Sequence, residues 1–476
     1  MAVLIASYFL YGKFLDKLTG VDGKAQVPSE RLYDGVDYMP LPRWRIFLIQ
    51  LLNIAGTGPI FGAILGACYG PVAFLWITIG GVLFGAMHDY MAGVISLRND
   101  GKSLSEIIGK YLGGGMHKLS TIVIPLLMVL VGGVFIVTPS QILADKTDFP
   151  YMAWVAIIII YYFVATILPI DKIIGKIYPI FGAALIAMAV MLFGVIVFGD
   201  YQIPELMSFA NMHFNAENLP IIPTLFISIA CGAISGFHAT QSPLMARCMT
   251  NEKQGRPIFY GAMIAEGIVA LIWAAAATYF FFDPNSGREG VDVSKGAAVI
   301  VDFITKNWLG TFGAVLAIMG VVFAPITSGD TALRSARLIV ADFLNYDQKP
   351  IIKRLIISVP IFAVTAGLLV WEINDADGFD IIWRYFAWAN QVLSVPTLWA
   401  ITIYLAKKQK AYIITLIPAL FMTMVCATFI LIAQKEGFGL PETWAYCISS
   451  AVTLVLAIAF FVWKAKNKKN FDSETE

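Results

Sequence analysis

The chain has 476 residues, of which 58% are hydrophobic and 14% charged, and its net charge is +1 at pH 7. Because a typical soluble domain carries roughly 25% charged residues, this composition excludes a large soluble core and indicates a polytopic membrane protein. A net charge near zero gives no reason to expect a nucleic acid partner. The five cysteines form no C-x-x-C pair and the four histidines are dispersed, so we expect no metal ion and no cofactor.

Thirteen apolar segments follow one another along the chain. A membrane-spanning helix needs roughly 17–25 residues, and the first segment is short for a span. The pattern predicts an all-α polytopic membrane protein with about 13 transmembrane helices. The segments lie at about 1–15, 44–69, 71–97, 119–143, 150–169, 175–198, 219–243, 257–281, 309–327, 351–371, 379–405, 411–432 and 442–463.

Lysine and arginine concentrate in alternate connections between these segments. Of the 33 basic residues, 27 lie in one set of connections, 5 lie in the other set, and Arg384 lies within a segment. Since cytoplasmic loops carry the excess of positive charge, the larger set is predicted to be cytoplasmic. The N-terminus is then expected outside the cell and the C-terminus in the cytoplasm.

The second segment contains Gly56-Thr57-Gly58-Pro59 near its centre. Glycine loses the most entropy in a helix, and proline lacks the N–H and clashes with the preceding turn, so a break is predicted there. A break within lipid is tolerated where it faces a protein-lined cavity, into which the half-helix ends direct partial charges. The alternative is a closely packed helix without a ligand, because Gly-x-x-x-Gly patterns also let helices approach.

A second break is predicted in the seventh segment, where Ser235-Gly236 and Ser242-Pro243 flank a polar stretch. The two breaks are five helices apart, so the segments that contain them enter the membrane from opposite sides. Two five-helix units of opposite orientation, each opening with a broken helix, are typical of inverted-repeat transporters. The polar residues between the flanking pairs are His238, Thr240 and Gln241.

This interpretation divides the chain into four parts. A peripheral first helix and a cytoplasmic connection precede two repeats of five helices each, and two additional helices with a cytoplasmic tail follow them. The predicted bounds are 1–43, 44–198, 199–405 and 406–476.

Charged residues inside spans are costly and are therefore functional candidates. His88 and Asp89 precede the cytoplasmic end of the third segment, either as a structural pair with Arg98 or as a group that accepts a proton or orients a substrate. Glu266 lies well inside the eighth segment, either in a helix–helix hydrogen bond or as a coupling group. Arg384 is expected to reach the outer membrane surface, with a bound substrate carboxylate as the alternative.

Polar residues at two further positions also need partners. Thr327 and Ser328 end the ninth segment, which the inverted-repeat arrangement places beside the first break. Hydroxyl and carbonyl oxygens are the ligands that small cations prefer, and the alternative is a helix terminus before a turn. Asn390 and Gln391 in the eleventh segment are expected to bind either neighbouring helices or a substrate. Separately, a short surface helix is predicted at 331–344.

Several motifs of other protein classes are missing from the sequence. Gly101-Lys102-Ser103 lacks the earlier glycine that a phosphate loop requires, and we find no nucleophile with a base and no H-x-x-x-H metal set. We therefore expect a secondary transporter, neither an ATP-driven pump nor an enzyme. A passive channel and a nutrient-sensing receptor without flux are the alternatives, and two breaks in corresponding positions favour a closed site over an open pore.

Five stretches of the chain carry specific motifs: Tyr33–Pro40, Ile54–Pro59, Gly85–Asp89, Ser96–Glu106 and Ser235–Pro243. These stretches resemble the carbon starvation protein A (CstA) family, and the resemblance extends through most of the chain. It implies an inner-membrane carrier of bacteria or archaea with the inverted-repeat fold of the amino acid–polyamine–organocation (APC) group. It also implies peptide uptake during nutrient limitation and, for close relatives, proton-coupled pyruvate uptake. The chain departs from the family in its short first helix, its small C-terminal part and a His-Asp pair where Gln-Asp is expected.

Together these observations predict an importer of short peptides or a small carboxylate in the starvation response, with an APC-type five-plus-five inverted-repeat core. We expect a proton, in preference to sodium, as the coupling ion, and a substrate and membrane lipid as partners. The predicted substrate-binding residues are Gly56, Thr57, Gly58, Ser235, Gly236, His238, Gln241, Asn390 and Gln391. The residues predicted to bind the coupling ion or proton are Asp89, Glu266, Thr327 and Ser328.

Overall fold

Helices make up most of the computed structural model, which describes residues 1–170, 174–199, 201–293, 296–374 and 378–468. Within these ranges no β-strand occurs, which confirms the predicted all-α class. The last residues of the predicted cytoplasmic tail, 469–476, lie outside the described residues. The α-helices are α1 (Ala2–Phe9), α2 (Tyr11–Thr19), α3 (Pro28–Arg31), α4 (Arg43–Ile54), α5 (Ala63–Ala67), α6 (Pro71–Leu75), α7 (Met87–Arg98), α8 (Leu104–Leu112), α9 (Gly114–Lys146), α10 (Tyr151–Ile167), α11 (Ile174–Phe198), α12 (Phe226–Ser228), α13 (Gly236–Ala246), α14 (Gly261–Phe282), α15 (Ala297–Phe343), α16 (Ile351–Asn374), α17 (Gly378–Lys407), α18 (Ile413–Ile432) and α19 (Glu442–Lys466).

Wider π-helical turns extend several of these helices. Four such segments continue directly into an α-helix, so that neighbouring elements form longer rods. The 3-10 turn Glu252–Gln254 precedes the rod that contains α14. The π-helical segments are Gly58–Gly62, Trp76–Ala86, Ile221–Leu225 and Arg256–Tyr260.

The structure describes seven helices that are long and apolar enough to cross a membrane. An eighth span is formed if Arg43–Ile54 and Gly58–Ala67, which meet at an angle of 54°, are taken as one broken span. This supports a multi-pass membrane protein, whereas the thirteen spans stay a prediction. The α10 helix, with 17 residues, is shorter than a full span by this measure. The N-terminal apolar segment forms two short helices, α1 and α2.

The first break lies where the sequence predicts it. The α4 helix ends at Ile54, Ala55 has non-helical dihedral angles (φ −84°, ψ 52°), and helical structure resumes at Gly58. Ser328 of α15 packs against this break, because its Oγ donates to the Leu52 carbonyl at 2.8 Å. The predicted position of the ninth segment beside the break is thereby confirmed.

The second break covers residues 229–235, between α12 and α13, and so precedes most of the stretch predicted from sequence. Gly232 has a φ of 91°, which glycine adopts without strain. His238 and Gln241 therefore lie on the helix that follows the break, and Pro243 is inside that helix. Backbone groups freed in the break find partners, since the Ile229 carbonyl accepts from the Trp76 indole at 3.1 Å.

The predicted surface helix at 331–344 is wrong as a separate element. These residues form the end of α15, a 47-residue helix interrupted at Gly310, whose φ is 61°. The α15 helix packs against α9 and α11, and its residues 331–339 are buried. Arg334 and Arg337 of this stretch are buried and bind Asp37 in the connection between α3 and α4.

Candidate transport site

The two helix breaks touch each other. A β-carbon at Gly58 would overlap the Cys231 side chain, and one at Gly62 would lie 2.6 Å from the Ser228 carbonyl oxygen. Glycine at these positions therefore allows the helix after the first break to pack directly on the second break. The Tyr69 hydroxyl adds a hydrogen bond to Thr224 at 2.9 Å. The two breaks therefore lie in one region of the structure.

A cavity of about 640 Å³ ends at this meeting point, and we refer to it as the outer cavity. Gly58, Cys231 and Asn390 lie in its wall, and the loops at 213–219 and 433–436 contribute to the lining. Both loops belong to the connections that the charge distribution predicts to be extracellular. Its volume falls within the range of roughly 300–1,000 Å³ that is usual for small-molecule sites.

A second cavity, of about 620 Å³, is unsuited to a polar solute. It lies among α8, α9, α17, α18 and α19, and its lining is apolar apart from Ser120, Thr423 and Cys426. Three tryptophan rings from α17 and α19 line it. The outer cavity, whose lining includes charged and polar side chains, is therefore the better candidate for a substrate site.

Several buried polar atoms near the breaks are left for a ligand or water. Within the described residues, both amide atoms of Asn390, the Thr57 hydroxyl and the Ser235 hydroxyl have no hydrogen-bond partner. A buried polar group without a hydrogen bond costs about 1–3 kcal/mol of stability. We therefore expect these groups to form hydrogen bonds with water or a bound solute. Of these three residues, Asn390 lies in the wall of the outer cavity.

Other predicted substrate residues make contacts with protein instead. Gln391 donates through Nε2 to the Phe226 carbonyl at 2.7 Å, which ties α17 to the segment before the second break. Gln241 donates through Nε2 to the Thr240 hydroxyl at 2.8 Å. Gly236 has a packing role, because a β-carbon there would overlap the backbone of α17. Their predicted contacts with substrate stay predictions.

A buried cluster of charged and titratable side chains lies beside the second break, and we call it the carboxylate–histidine cluster (His88, Asp89, His238 and Glu266). Asp89 binds both histidines, with Oδ1 at 2.8 Å from His88 Nδ1 and Oδ2 at 2.8 Å from His238 Nδ1. Glu266 accepts through Oε1 from the Gly232 backbone N–H at 3.1 Å. All four side chains are fully buried. The sequence singled out each residue but did not predict that they form one cluster.

The suggested partner of the His88–Asp89 pair was wrong. Arg98 binds Glu252 at 2.5 Å and the Thr19 carbonyl at 3.0 Å, away from the cluster. The cluster is therefore built from acids and histidines of α7, α13 and α14.

Three potential metal ligands meet at the cluster. Ligand atoms of Cys231, His238 and Glu266 lie within 4.8 Å of one another, and all three residues are buried. This grouping was missed, since sequence analysis found no metal motif. The unwound second break supplies the cysteine, and sequence spacing gives no signal for its position relative to the two helices.

Thr327 and Ser328 lie near the first break, but their hydroxyls are engaged. Thr327 donates to the Phe323 and Ala324 carbonyls of its own helix at 3.0 and 2.8 Å. Ser328 donates across to the Leu52 carbonyl. Ion binding by these oxygens stays a prediction.

Asp330 is a buried carboxylate that the sequence interpretation passed over. Its carboxylate accepts from the Tyr161 hydroxyl at 2.8 Å and from the Tyr178 hydroxyl, on α10 and α11. Its side chain is fully buried. The available signal was its position one turn after the apolar run, where continuation of the helix keeps it inside the protein.

The side of the protein that the charge distribution predicts to be cytoplasmic contains a buried ion cluster, which we call the cytoplasmic ion cluster (Asp37, Arg334 and Arg337). Asp37 accepts from Arg334 Nη1 at 2.9 Å and from Arg337 Nη2 at 3.0 Å. Burial alone would raise the pKa of Asp37, but the positive charges of Arg337, Arg334 and Arg247 lower it by a larger amount. The pKa of Asp37 therefore lies well below its ordinary value.

The loop that contains Asp37 is held by backbone hydrogen bonds. The Met39 N–H donates to the Arg247 carbonyl just after α13, and the Val36 carbonyl accepts from the Ile170 N–H after α10.

The outer cavity has a looser polar contact in its wall. Arg384 forms an ion pair with Glu436 at 2.8 Å, and 37% of the arginine side chain is exposed. Arg384 thus reaches the surface, as expected, and also forms an ion pair with a residue of the loop after α18. Both residues line the outer cavity.

Comparison with protein families places these features in context. A family model described as "Carbon starvation protein CstA" matches residues 1–148, 136–304 and 290–429. An uncharacterized membrane protein of Haemophilus influenzae is 41% identical over 351 residues, which cover 63% of this chain and 94% of that protein.

Two further relatives carry functional names. A peptide transporter CstA of Bacillus subtilis is 28% identical, with 98% of this chain and 95% of the relative covered. The pyruvate/proton symporter BtsT of Escherichia coli is 24% identical, with 92% and 82% covered. These relatives are transporters, in agreement with the prediction that the chain is not an enzyme.

The fold itself is similar to that of a solved transporter. A manganese transporter of Eremococcus coleocola superimposes with a TM-score of 0.58 at 11% sequence identity, over 92% of this chain and 99% of that chain. At this identity the likeness concerns the fold alone.

Proposed function

The chain belongs to the carbon starvation protein CstA family, and from that premise we propose that it is a secondary active transporter. Its substrate is a small solute with a carboxylate, either a short peptide or a small organic acid. The observation that carries the proposal is the outer cavity, which ends where two broken helices meet. Such a site between interrupted helices is the usual binding place of secondary transporters.

The substrate carboxylate binds at the first break. Backbone N–H groups around Gly56–Gly58 begin a helix, and the positive end of its dipole favours an anion. The side-chain amide of Asn390, which has no hydrogen-bond partner among the described residues, forms hydrogen bonds with the remaining polar groups of the substrate. His238 and Gln241 orient this region from behind the wall of the cavity.

Transport proceeds by alternating access. The outer cavity lies toward the predicted extracellular side, while the cytoplasmic ion cluster closes the other side. Movement of the broken helices against the remaining helices would open the cytoplasmic side. The two five-helix repeats at 44–198 and 199–405, in a bacterial inner membrane with the N-terminus outside, are part of this proposal.

Import is coupled to a cation gradient, and a proton is favoured over sodium. The relative named as a pyruvate/proton symporter supports this choice. Asp330 is the proposed proton-binding group, because full burial makes its charged form costly even though two phenols donate to it, and protonation removes that cost. Asp89, Glu266, Thr327 and Ser328 remain the predicted contacts for a coupling cation.

Uptake by the purified chain in liposomes tests the transport proposal. Labelled pyruvate and labelled di- and tripeptides are supplied outside, with an inward proton gradient, an inward sodium gradient or neither. We expect uptake of at least one solute that stops when the proton gradient is collapsed. Uptake that persists after both gradients are collapsed would refute the coupling, and binding without uptake would favour a receptor.

A matched pair of variants tests the site. Gly58→Leu places a side chain against Cys231 at the end of the outer cavity, whereas Gly194→Leu adds the same side chain where nothing lies within 4 Å of the added β-carbon. We expect uptake to be lost in the first variant and kept in the second. Normal uptake by a folded Gly58→Leu protein would exclude the outer cavity as the route.

A further inference from the structure

We propose that Cys231, His238 and Glu266 form a binding site for one divalent cation of intermediate softness, for which Zn²⁺ is the best match. The proposal is independent of the solute that is transported. It starts from the three ligand atoms, Sγ, an imidazole nitrogen and a carboxylate oxygen, that lie within 4.8 Å of one another.

The chemistry of the three donors selects the class of ion. Zn²⁺ is bound by cysteine sulfur, histidine nitrogen and carboxylate oxygen, whereas Mg²⁺ and Ca²⁺ prefer sites made wholly of oxygen. A set of three protein ligands leaves the fourth tetrahedral position open. An open position is usual where the ion meets water or a small ligand.

Two of the three ligand atoms make no hydrogen bond within the described residues. Among the described residues, His238 Nε2 and Glu266 Oε2 are buried and have no hydrogen-bond partner. They are 3.6 Å apart, which is too long for a good hydrogen bond. Tetrahedral ligands at about 2.0–2.3 Å from zinc are themselves roughly 3.3–3.8 Å apart, so the pair already has the required separation.

The histidine is oriented as metal-binding histidines usually are. Its other ring nitrogen, Nδ1, lies 2.8 Å from Asp89 Oδ2. When Nδ1–H donates to this carboxylate, the lone pair of Nε2 points toward Cys231 and Glu266. Asp89 is in turn bound by His88, and Glu266 is fixed by the Gly232 backbone N–H. The supporting contacts of a metal site are therefore already formed.

An entry path is also present. Cys231 lines the outer cavity, so an ion that enters the cavity meets the thiol first. The thiol must lose its proton and the three ligand atoms must close by roughly an ångström for tetrahedral coordination. Because Cys231 belongs to the second break and the other ligands belong to α13 and α14, a bound ion would fix the break against these helices.

Cobalt binding to the purified full chain tests the proposal. Co²⁺ is added to reduced protein in detergent, and the thiolate-to-cobalt absorption band and the bound stoichiometry are measured. We expect one Co²⁺ per chain with a thiolate band, and displacement of the ion by Zn²⁺ with loss of the band. Absence of saturable binding, or a site without a thiolate band, would overturn the proposal.

Variants assign the ligands. Cys231→Ser should abolish the thiolate band, and Glu266→Gln should lower the affinity at least tenfold. Asp89→Asn, which keeps all three ligands, should lower it by about 10–100-fold. Cys68→Ser is the matched control, because Cys68 lines the same cavity outside the cluster. A band that is lost in Cys68→Ser and kept in Cys231→Ser would refute the assignment.

A measurement on the unmodified chain guards against variants that do not fold. Alkylation of each cysteine is followed by mass spectrometry with and without Zn²⁺. We expect Zn²⁺ to slow the alkylation of Cys231 while that of Cys68 is unchanged. Equal rates at Cys231 in both conditions would contradict the site.

Discussion

Asparagine in place of Asp37 would remove the carboxylate that two buried guanidinium groups share. Arg334 and Arg337 are 1% and 0% exposed, and the aspartate side chain is 3% exposed. Arg334 also donates to the carbonyls of Ala165 and Leu168, so it cannot turn toward water without losing these bonds. The substitution therefore leaves two positive charges buried with little compensation.

The expected loss follows from burial. Removal of one partner from a buried ion pair costs about 3–5 kcal/mol, because the remaining charge stays desolvated. The side-chain amide of the introduced asparagine would still accept a hydrogen bond through its oxygen, so we expect the lower part of this range. At roughly 2 °C per kcal/mol, the value for large domains, the melting temperature should fall by roughly 6 °C or more.

An exposed pair nearby provides the control. Asp100 forms an ion pair with Arg31, and both side chains are 45% exposed. Asp100→Asn keeps a residue type that tolerates the left-handed backbone at this position, where φ is 62°. Exposed pairs contribute at most about 1 kcal/mol, so its melting temperature should change little. Thermal unfolding of the two variants in the same detergent measures both effects.

The effect of pH has a definite sign. The pKa of Asp37 is lowered in the folded protein, so its contribution to stability is fully present above the unfolded pKa of about 3.9 and is lost as the pH falls toward the folded pKa. The difference between the original chain and Asp37→Asn should be constant from about pH 8 to about pH 5 and shrink below about pH 4. Equal losses in Asp37→Asn and Asp100→Asn, or a difference that grows as the pH falls, would refute the reasoning.

Two further substitutions test other parts of the structure. Gly236→Ala should reduce the yield of folded protein, because the added β-carbon overlaps the backbone of α17 near Ser394. Gly367→Ala is the control, since its added β-carbon has no neighbour within 4 Å and the variant should fold normally. Size-exclusion profiles of the two variants measure the difference. In the Asp330→Asn variant, an inward proton gradient should no longer accelerate uptake, while solute binding is kept. Tyr161→Phe, which keeps the carboxylate, should retain coupling to the gradient. Gradient-driven uptake by the Asp330→Asn variant would exclude Asp330 as the proton-binding group.

Sequence reasoning located the first break well because its cause is local. Glycine and proline at Gly56–Pro59 disfavour a helix in any surroundings, and the structure interrupts the helix there. The second break was placed too late in the chain. Its glycine, Gly232, and the surrounding apolar residues look like an ordinary helix, and the break depends on tertiary partners such as Trp76 and Glu266.

The charged residues show a similar division. Hydropathy identified Asp89 and Glu266 as unusual, because a charge inside an apolar segment is visible in one dimension. The sequence could not predict that Asp89 and Glu266 both lie beside His238, since this contact depends on how α7, α13 and α14 pack. Asp330 was passed over because it follows its apolar segment, although the folded chain buries it as fully as the others.

The unequal closure of the two sides bears on how transport is driven. The side predicted to face the cytoplasm contains the buried ion cluster, whereas the ion pair in the wall of the outer cavity is partly exposed. An exposed pair contributes at most about 1 kcal/mol, whereas a buried pair separates at a larger cost when its groups find no new partners. A difference of about 2 kcal/mol corresponds to a population ratio of roughly thirtyfold. For both states to be populated, the solute and any coupling ion would then have to bind the inward-open state roughly thirtyfold more tightly than the outward-open state.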